Sequence, residues 1–350
     1  MDMTRRQLLA AGAAALAMPS ASSAAPDPQP SRMGVVIHSY MIRAAREKGR
    51  FDDPVAFLEH CHKLGAAGVQ VGLGLRERDD ARAVREKAGA LGMYFEGMAR
   101  LPRSPSERAR FAAELKAAEL AGAEVVRAVL LGGRRYEAFD STASFRKFSD
   151  EAFASLALAA EVLEAEGSPV RLAIENHKDF RAEELAAMLG RIGSDRVGVC
   201  LDTGNSIALL EDPMEVVEAL APWAFTTHFK DMGVREYERG FLLSEVPLGE
   251  GFLDLPRIVR VLRRARPGIR FNLEMITRDP LKVPCLSPGY WATFEDLPAR
   301  HLARSLTTVR DHPPKRALPL VAGLSLEEQF KAEDDNVRRC LARARDILES

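Results

Sequence analysis

The chain has 350 residues, 47% hydrophobic and 28% charged, which suits a folded protein with a sizeable core. Its formal net charge of −1 excludes a global field for nucleic acid or an anionic membrane surface. The four cysteines, Cys61, Cys200, Cys285 and Cys340, are scattered without zinc-type spacing, so buried or free thiols are expected.

Residues 1–25 carry a targeting pattern. Arg5 and Arg6 stand directly before an apolar run, 8–18, that is too short to span a bilayer, and small residues follow. The pattern resembles a twin-arginine signal, which implies export to the periplasm or beyond. A Pro-rich linker, 26–33, comes next, and no later stretch approaches 18 apolar residues, so no stable membrane insertion is expected after processing.

From 34 to 310 apolar β-prone runs alternate with helical patterns. Strands are expected at 34–38, 68–71, 94–98 and 124–130, with helices at 54–64, 80–91, 106–121 and 142–166. Four more apolar runs follow, separated by helices near 182–192, 213–220 and 255–264. Gly65, Gly92 and Gly122 each stand where a helix stops before a strand. Eight near-continuous apolar strands in strict alternation with helices predict a parallel sheet covered on both faces, closed as one (β/α)8 barrel. Residues 276–293, rich in Pro and aromatic residues and without a period, are expected as a long loop over the barrel mouth. Helical patterns at 294–311 and 325–350 make 311–350 a C-terminal helical extension.

The last four strands share one grammar. Their apolar runs end in Glu175, Asp202, His228 and Glu274, spaced 27, 26 and 46 residues apart. An unpaired buried charge is costly, but the C-terminal ends of barrel strands are where chemistry sits. Three carboxylates and an imidazole converging there form a mixed oxygen and nitrogen site for a divalent ion, Mn²⁺ first, with Mg²⁺, Co²⁺, Fe²⁺ or Zn²⁺ as alternatives. Such an ion polarises a sugar carbonyl, and Glu175 and Glu274 would move the proton of the adjoining carbon. His38, at the end of the first strand, and Lys230, Asn205 and Arg278 are candidate substrate contacts around the same mouth.

The motifs Glu175-Asn176-His177, 201–205 (LDTGN), 228–231 (HFKD), 248–251 (LGEG) and 273–278 (LEMITR) resemble the xylose-isomerase-like sugar phosphate isomerase/epimerase superfamily over residues 34–277. The resemblance implies the same four metal ligands, the glutamates as acid and base, and substrate contacts from His177, Arg235 and Glu250. It also implies a small-molecule carbohydrate substrate and a homo-oligomer. Ketose epimerases of this type carry His three residues after the Asp, where this chain has Asn205. The expected function is therefore isomerisation or epimerisation of a free sugar, cyclitol or keto-sugar through an enediolate. The alternative is a lyase that opens 3-keto-glycosides. An endonuclease related to abasic-site nucleases would need more histidines than seven and a basic face.

Overall fold

The computed structural model describes residues 31–74, 78–294 and 296–349. The twin-arginine segment and residues 26–30 of the linker lie outside them. Eight parallel strands close into a barrel: β1 (Gly34–Val36), β2 (Gly68–Gln70), β3 (Tyr94–Met98), β4 (Val125–Ala128), β5 (Arg171–Glu175), β6 (Val197–Asp202), β7 (Ala224–Phe229) and β10 (Arg270–Leu273). The order around the wall is β1-β10-β7-β6-β5-β4-β3-β2, so β10 completes the ring between β7 and β1. The expected (β/α)8 barrel is the observed fold.

Each strand is buried because helices cover its outer face and side chains fill the inside. Among the covering helices are α2 (Pro54–Lys63), α3 (Arg78–Ala90), α4 (Arg108–Leu120), α6 (Thr142–Ala165), α7 (Ala182–Ile192), α8 (Pro213–Leu220) and α9 (Leu255–Ala265). Several starts are chemically explicit. Asp53 and Asp212 each precede a proline at the first helical position, and each carboxylate accepts two backbone N–H bonds of the first turn. The barrel interior is not wholly apolar. Glu96 Oε2 accepts from Gln70 Nε2 (3.1 Å), Thr226 Oγ1 (2.8 Å) and Asn272 Nδ2 (3.0 Å), which ties β2, β3, β7 and β10 together beneath the mouth.

The mouth departs from the sequence expectation. An antiparallel hairpin of β8 (Asp231–Tyr237) and β9 (Gly240–Val246), not among the expected strands, follows β7. Residues 276–293 are not structureless: β11 (Leu281–Val283) pairs with β9, and a 3₁₀ turn spans Pro288–Thr293. The reason is a second apolar cluster, in which Val234, Phe241, Leu243 and Val283 pack with Tyr290, Phe294 and Val309. Two short helices, α1 (Met41–Arg46) and α5 (Arg135–Ala138), were also not expected.

The C-terminal helices divide the remaining work. Helix α10 (Ala299–Asp311) lies on the hairpin, whereas α11 (Leu326–Glu349) packs between α9 and the turn after β1. Val337, Cys340, Leu341 and Ala344 of α11 belong to the main core. Its buried Glu333 accepts backbone N–H bonds from Ile42 (2.7 Å) and Arg43 (3.2 Å). The extension thus covers the seam where first and last strands meet. All four cysteines are free and buried. Among the described residues no helix is long and apolar enough to cross a membrane.

Candidate metal centre and its mouth

Glu175, Asp202 and His228 stand at or next to the C-terminal ends of β5, β6 and β7, and Glu274 follows β10 directly. These four strands are consecutive in the wall, so their last side chains meet over one point. One ligand atom from each lies within 4.8 Å of the others, and all four residues are buried. Asn176 fixes the middle of the arc: its amide accepts from Asp202 N (2.7 Å) and donates to Asp202 O (3.0 Å). Asp202 Oδ1 accepts from the N–H groups of Gly204 and Asn205 (both 2.8 Å), which leaves Oδ2 to face the centre.

The donor set fits a divalent cation. His228 Nε2 lies 2.7 Å from Gln70 Oε1, and Gln70 in turn donates its amide to Glu96. The N–H of the ring therefore points at Gln70, and Nδ1 is left as a lone pair. That atom faces Glu274 Oε1 at 3.1 Å, Glu175 Oε2 at 3.3 Å and Asp202 Oδ2 at 4.0 Å, and it has no hydrogen bond. A buried lone pair aimed at three carboxylates is repulsive unless a cation or proton sits among them. Burial alone pulls the His228 imidazole down, but Cys200, Glu274 and Glu175 together push it well above the ordinary histidine value. A metal would displace that proton.

The two glutamates differ in their second partners. Arg127, from β4, binds Glu175 Oε2 through Nε (2.7 Å) and again through Nη2. Burial raises Glu175, yet Arg127 first and His228 second hold it well below the usual carboxylate range. Glu274 Oε1 accepts from or faces His38 Nδ1 at 2.9 Å, and Oε2 accepts from Lys230. Burial raises Glu274 as well, and His228 and Lys230 outweigh it. The His38 ring is one-third exposed and connects Glu274 with solvent.

Of the other expected contacts, Lys230 is wholly buried and pairs with Asp202 Oδ2 (2.7 Å) and Glu274. Gly204 makes room for it, since a Cβ there would lie 2.6 Å from Met232 Sδ and 3.0 Å from Lys230 Cδ. Asn205 does two things: its backbone shapes the turn after β6, and its Nδ2 donates to Glu175 Oε1 (3.1 Å). Half-buried His177 turns its Nδ1 to Gly133 O at 3.1 Å, outside the ligand set, and burial followed by Lys178 lowers it to about 3. Arg278 is bound at Nε and Nη2 by buried Glu245 of β9, 3.1 Å and 2.5 Å.

Two expected contacts are elsewhere. Arg235 is exposed on β8, because the segment after β7 runs out as a hairpin rather than folding over the mouth. Glu250 pairs with Arg339 of α11 and with Arg316 (3.8 Å), so it serves the seam of the barrel. Sequence reasoning missed Arg127, Gln70, Glu245 and Lys178. Arg127 and Gln70 lie inside strands that were expected, where a polar residue in an apolar run was the available signal. Lys178 directly follows the Glu-Asn-His motif.

Fold and site together define a (β/α)8 barrel whose mouth gathers two glutamates, an aspartate and a histidine that could hold a divalent cation. The chain belongs to the Xylose isomerase-like TIM barrel family, whose model matches residues 58–304. Over 136 residues it is 32% identical to the 3-oxo-isoapionate decarboxylase of Pectobacterium atrosepticum, a match that spans 38% of this chain and about half, 49%, of that relative. Its fold is similar to that of D-psicose 3-epimerase crystallised in the presence of D-fructose, with a TM-score of 0.57 at 16% identity, covering 91% of this chain and 99% of the epimerase. A Xylose isomerase-like TIM barrel protein from Mycobacterium smegmatis, in complex with magnesium, gives 0.53 at 16% identity, covering 80% and 100%.

Proposed function

We propose that this protein is a metal-dependent isomerase or epimerase acting on a carbohydrate ketone: a free sugar, cyclitol or keto-sugar. The observation that carries the reading is the bare Nδ1 of His228 among three buried carboxylates, with its tautomer set by Gln70. A divalent cation held by Glu175, Asp202, His228 and Glu274, with Mn²⁺ as first choice, would polarise the substrate carbonyl and acidify the adjoining C–H. Glu274 then takes the proton from that carbon, leaving an enediolate, and His38 offers the path by which the proton exchanges with solvent. Return of a proton to the opposite face of the same carbon gives an epimer, and return to the former carbonyl carbon gives an isomer. The twin-arginine pattern supports an unphosphorylated substrate, since export removes the enzyme from cytosolic sugar phosphates.

A lyase is the second reading, and Arg127 favours it. Glu175 Oε2 is engaged by two guanidinium N–H groups and Oε1 by the Asn205 amide, so it lacks the link to solvent that His38 gives Glu274. Expulsion of a glycosidic oxygen, or loss of CO₂ from a 3-oxo acid, needs no second carboxylate to take a proton from carbon. The partial likeness to a decarboxylase points the same way.

Deuterium wash-in separates the two. Mn²⁺-loaded protein is incubated in D₂O with free ketoses, keto-glycosides and inososes, beside Glu274→Gln. The isomerase reading expects solvent deuterium at a carbon next to the carbonyl in recovered substrate and in its isomer, lost in the variant. Deuterium confined to a cleaved product supports the lyase. No exchange on any substrate, with metal bound at one ion per chain, overturns both.

A further inference from the structure

We infer that the substrate carries a carboxylate, and that Lys178 is the residue that binds it at the metal-site mouth. The inference rests on the metal-dependent reading above and names the substrate class within it. Lys178 is 3% exposed and follows the first ligand strand, where its backbone carbonyl is fixed by Arg135 N at 2.7 Å. Its ammonium donates to Asn205 Oδ1, and the same amide donates to Glu175 Oε1. The lysine therefore sits one carboxamide away from a metal-ligand carboxylate.

What singles it out is the missing anion. Around the mouth, Arg127 pairs with Glu175, Lys230 with Asp202 and Glu274, and Arg278 with Glu245. Lys178 is the buried cation of this group that is in no ion pair among the described residues. A buried ammonium satisfied only by a neutral amide is costly, and burial first, then Lys230 and Arg278, lower it to about 8. Removing Lys178 would relieve that cost, so its presence calls for an anion that arrives from outside.

The charge balance agrees. Among the side chains named above, the carboxylates Glu175, Asp202, Glu274 and Glu245 match the cations Arg127, Lys178, Lys230 and Arg278 one for one, and the neighbouring buried Asp179 is bound by the N–H groups of Leu131 and Phe180. A divalent ion on the ligands then leaves an excess of two positive charges. The negative charge that develops on the substrate oxygen meets one, and a carboxylate on the substrate meets the other. One ammonium, already hydrogen-bonded to Asn205 Oδ1, suits a carboxylate, whereas a phosphate dianion calls for several donors.

The test is calorimetric binding to the Mn²⁺-loaded full chain with paired probes: threonate against threitol, gluconate against sorbitol, and sorbitol 6-phosphate as the phosphate arm. Wild type is compared with Lys178→Gln, which keeps a donor for Asn205 without the charge, and Lys178→Arg, which keeps the charge. The expected result is tighter binding of the acids by about ten- to a hundredfold, the scale of a charge-assisted hydrogen bond. That preference should collapse in Lys178→Gln and persist in Lys178→Arg, with metal stoichiometry unchanged in both. Equal binding of acids and polyols, an undiminished preference in Lys178→Gln, a preference for the phosphate, or no binding of any probe would each overturn the inference. Solvent exchange on a neutral ketone alongside any of those outcomes would leave the metal-dependent reading standing.

Discussion

The two halves of the barrel wall do different jobs at one site. The arc β5–β6–β7–β10 ends in the four candidate ligands, each placed by the simple fact that a strand terminates at the mouth. The arc β1–β4 contributes none of the four, yet His38, Gln70 and Arg127 reach from it to Glu274, His228 and Glu175, and Glu96 holds Gln70 in place. The first arc supplies charge and orients Asp202 through Asn176 and Lys230, while the second fixes His228 through Gln70, Glu175 through Arg127 and Glu274 through His38. Metal sites commonly depend on such an outer layer for ligand orientation. Here His38, Gln70 and Arg127 come from the other half of the wall, and Asn176, Asn205 and Lys230 from the ligand half.

That division can be broken in graded steps. The largest effect falls on the ligand arc: His228→Ala should abolish stoichiometric Mn²⁺ binding and with it any solvent exchange, measured by metal analysis of dialysed protein and by deuterium incorporation. Next comes the strongest link between the arcs. Arg127→Met leaves Glu175 buried without its cation, which should cost about 3–5 kcal/mol in the metal-free protein, read from chemical denaturation. The pH dependence should change with it. In the wild type Glu175 ionises well below the usual carboxylate range, so its stabilisation holds through neutral pH and is lost only on strong acidification. In Arg127→Met burial dominates, the carboxyl moves up, and the loss on acidification begins at higher pH.

Gln70→Leu removes the acceptor that fixes the His228 tautomer while sparing every ligand. Metal affinity should fall about ten- to a hundredfold, by competition titration against a chelator, with the fold intact. Gly204→Ala tests the packing over Lys230: a Cβ 2.6 Å from Met232 Sδ must displace that side chain. The cost should be roughly 1–3 kcal/mol, with a smaller effect on metal binding than Gln70→Leu. Arg235→Ala, exposed on the hairpin, should change stability by no more than about 0.5 kcal/mol and leave metal binding alone.

The ligand arc could be read because a charged residue closing an apolar run is an anomaly that only a site resolves. The barrel could be read because eight buried strands and their helices repeat one pattern, and β3, α7 and α8 begin and end where that pattern places them. The orienting arc was not legible, since Gln70 and Arg127 look like ordinary polar positions until the ring brings β2 and β4 opposite β7 and beside β5. The hairpin was missed because its apolar side chains bury against Tyr290 and Phe294, far along the chain, so neither segment shows its reason locally. Arg235 and Glu250 had been placed by motif likeness rather than by a physical argument, and the fold puts them on the hairpin and at the α11 seam.

We propose that Glu175, Asp202, His228 and Glu274 hold one divalent cation, with His228 coordinating through Nδ1. The most direct measurement is Mn²⁺ binding by electron paramagnetic resonance on wild type and His228→Ala, with ¹⁵N-histidine labelling to detect the bound imidazole. One bound ion per wild-type chain, a nitrogen coupling from the label and loss of both in the variant is the predicted result. Unchanged binding in His228→Ala, or no bound ion in the wild type, would rule this centre out.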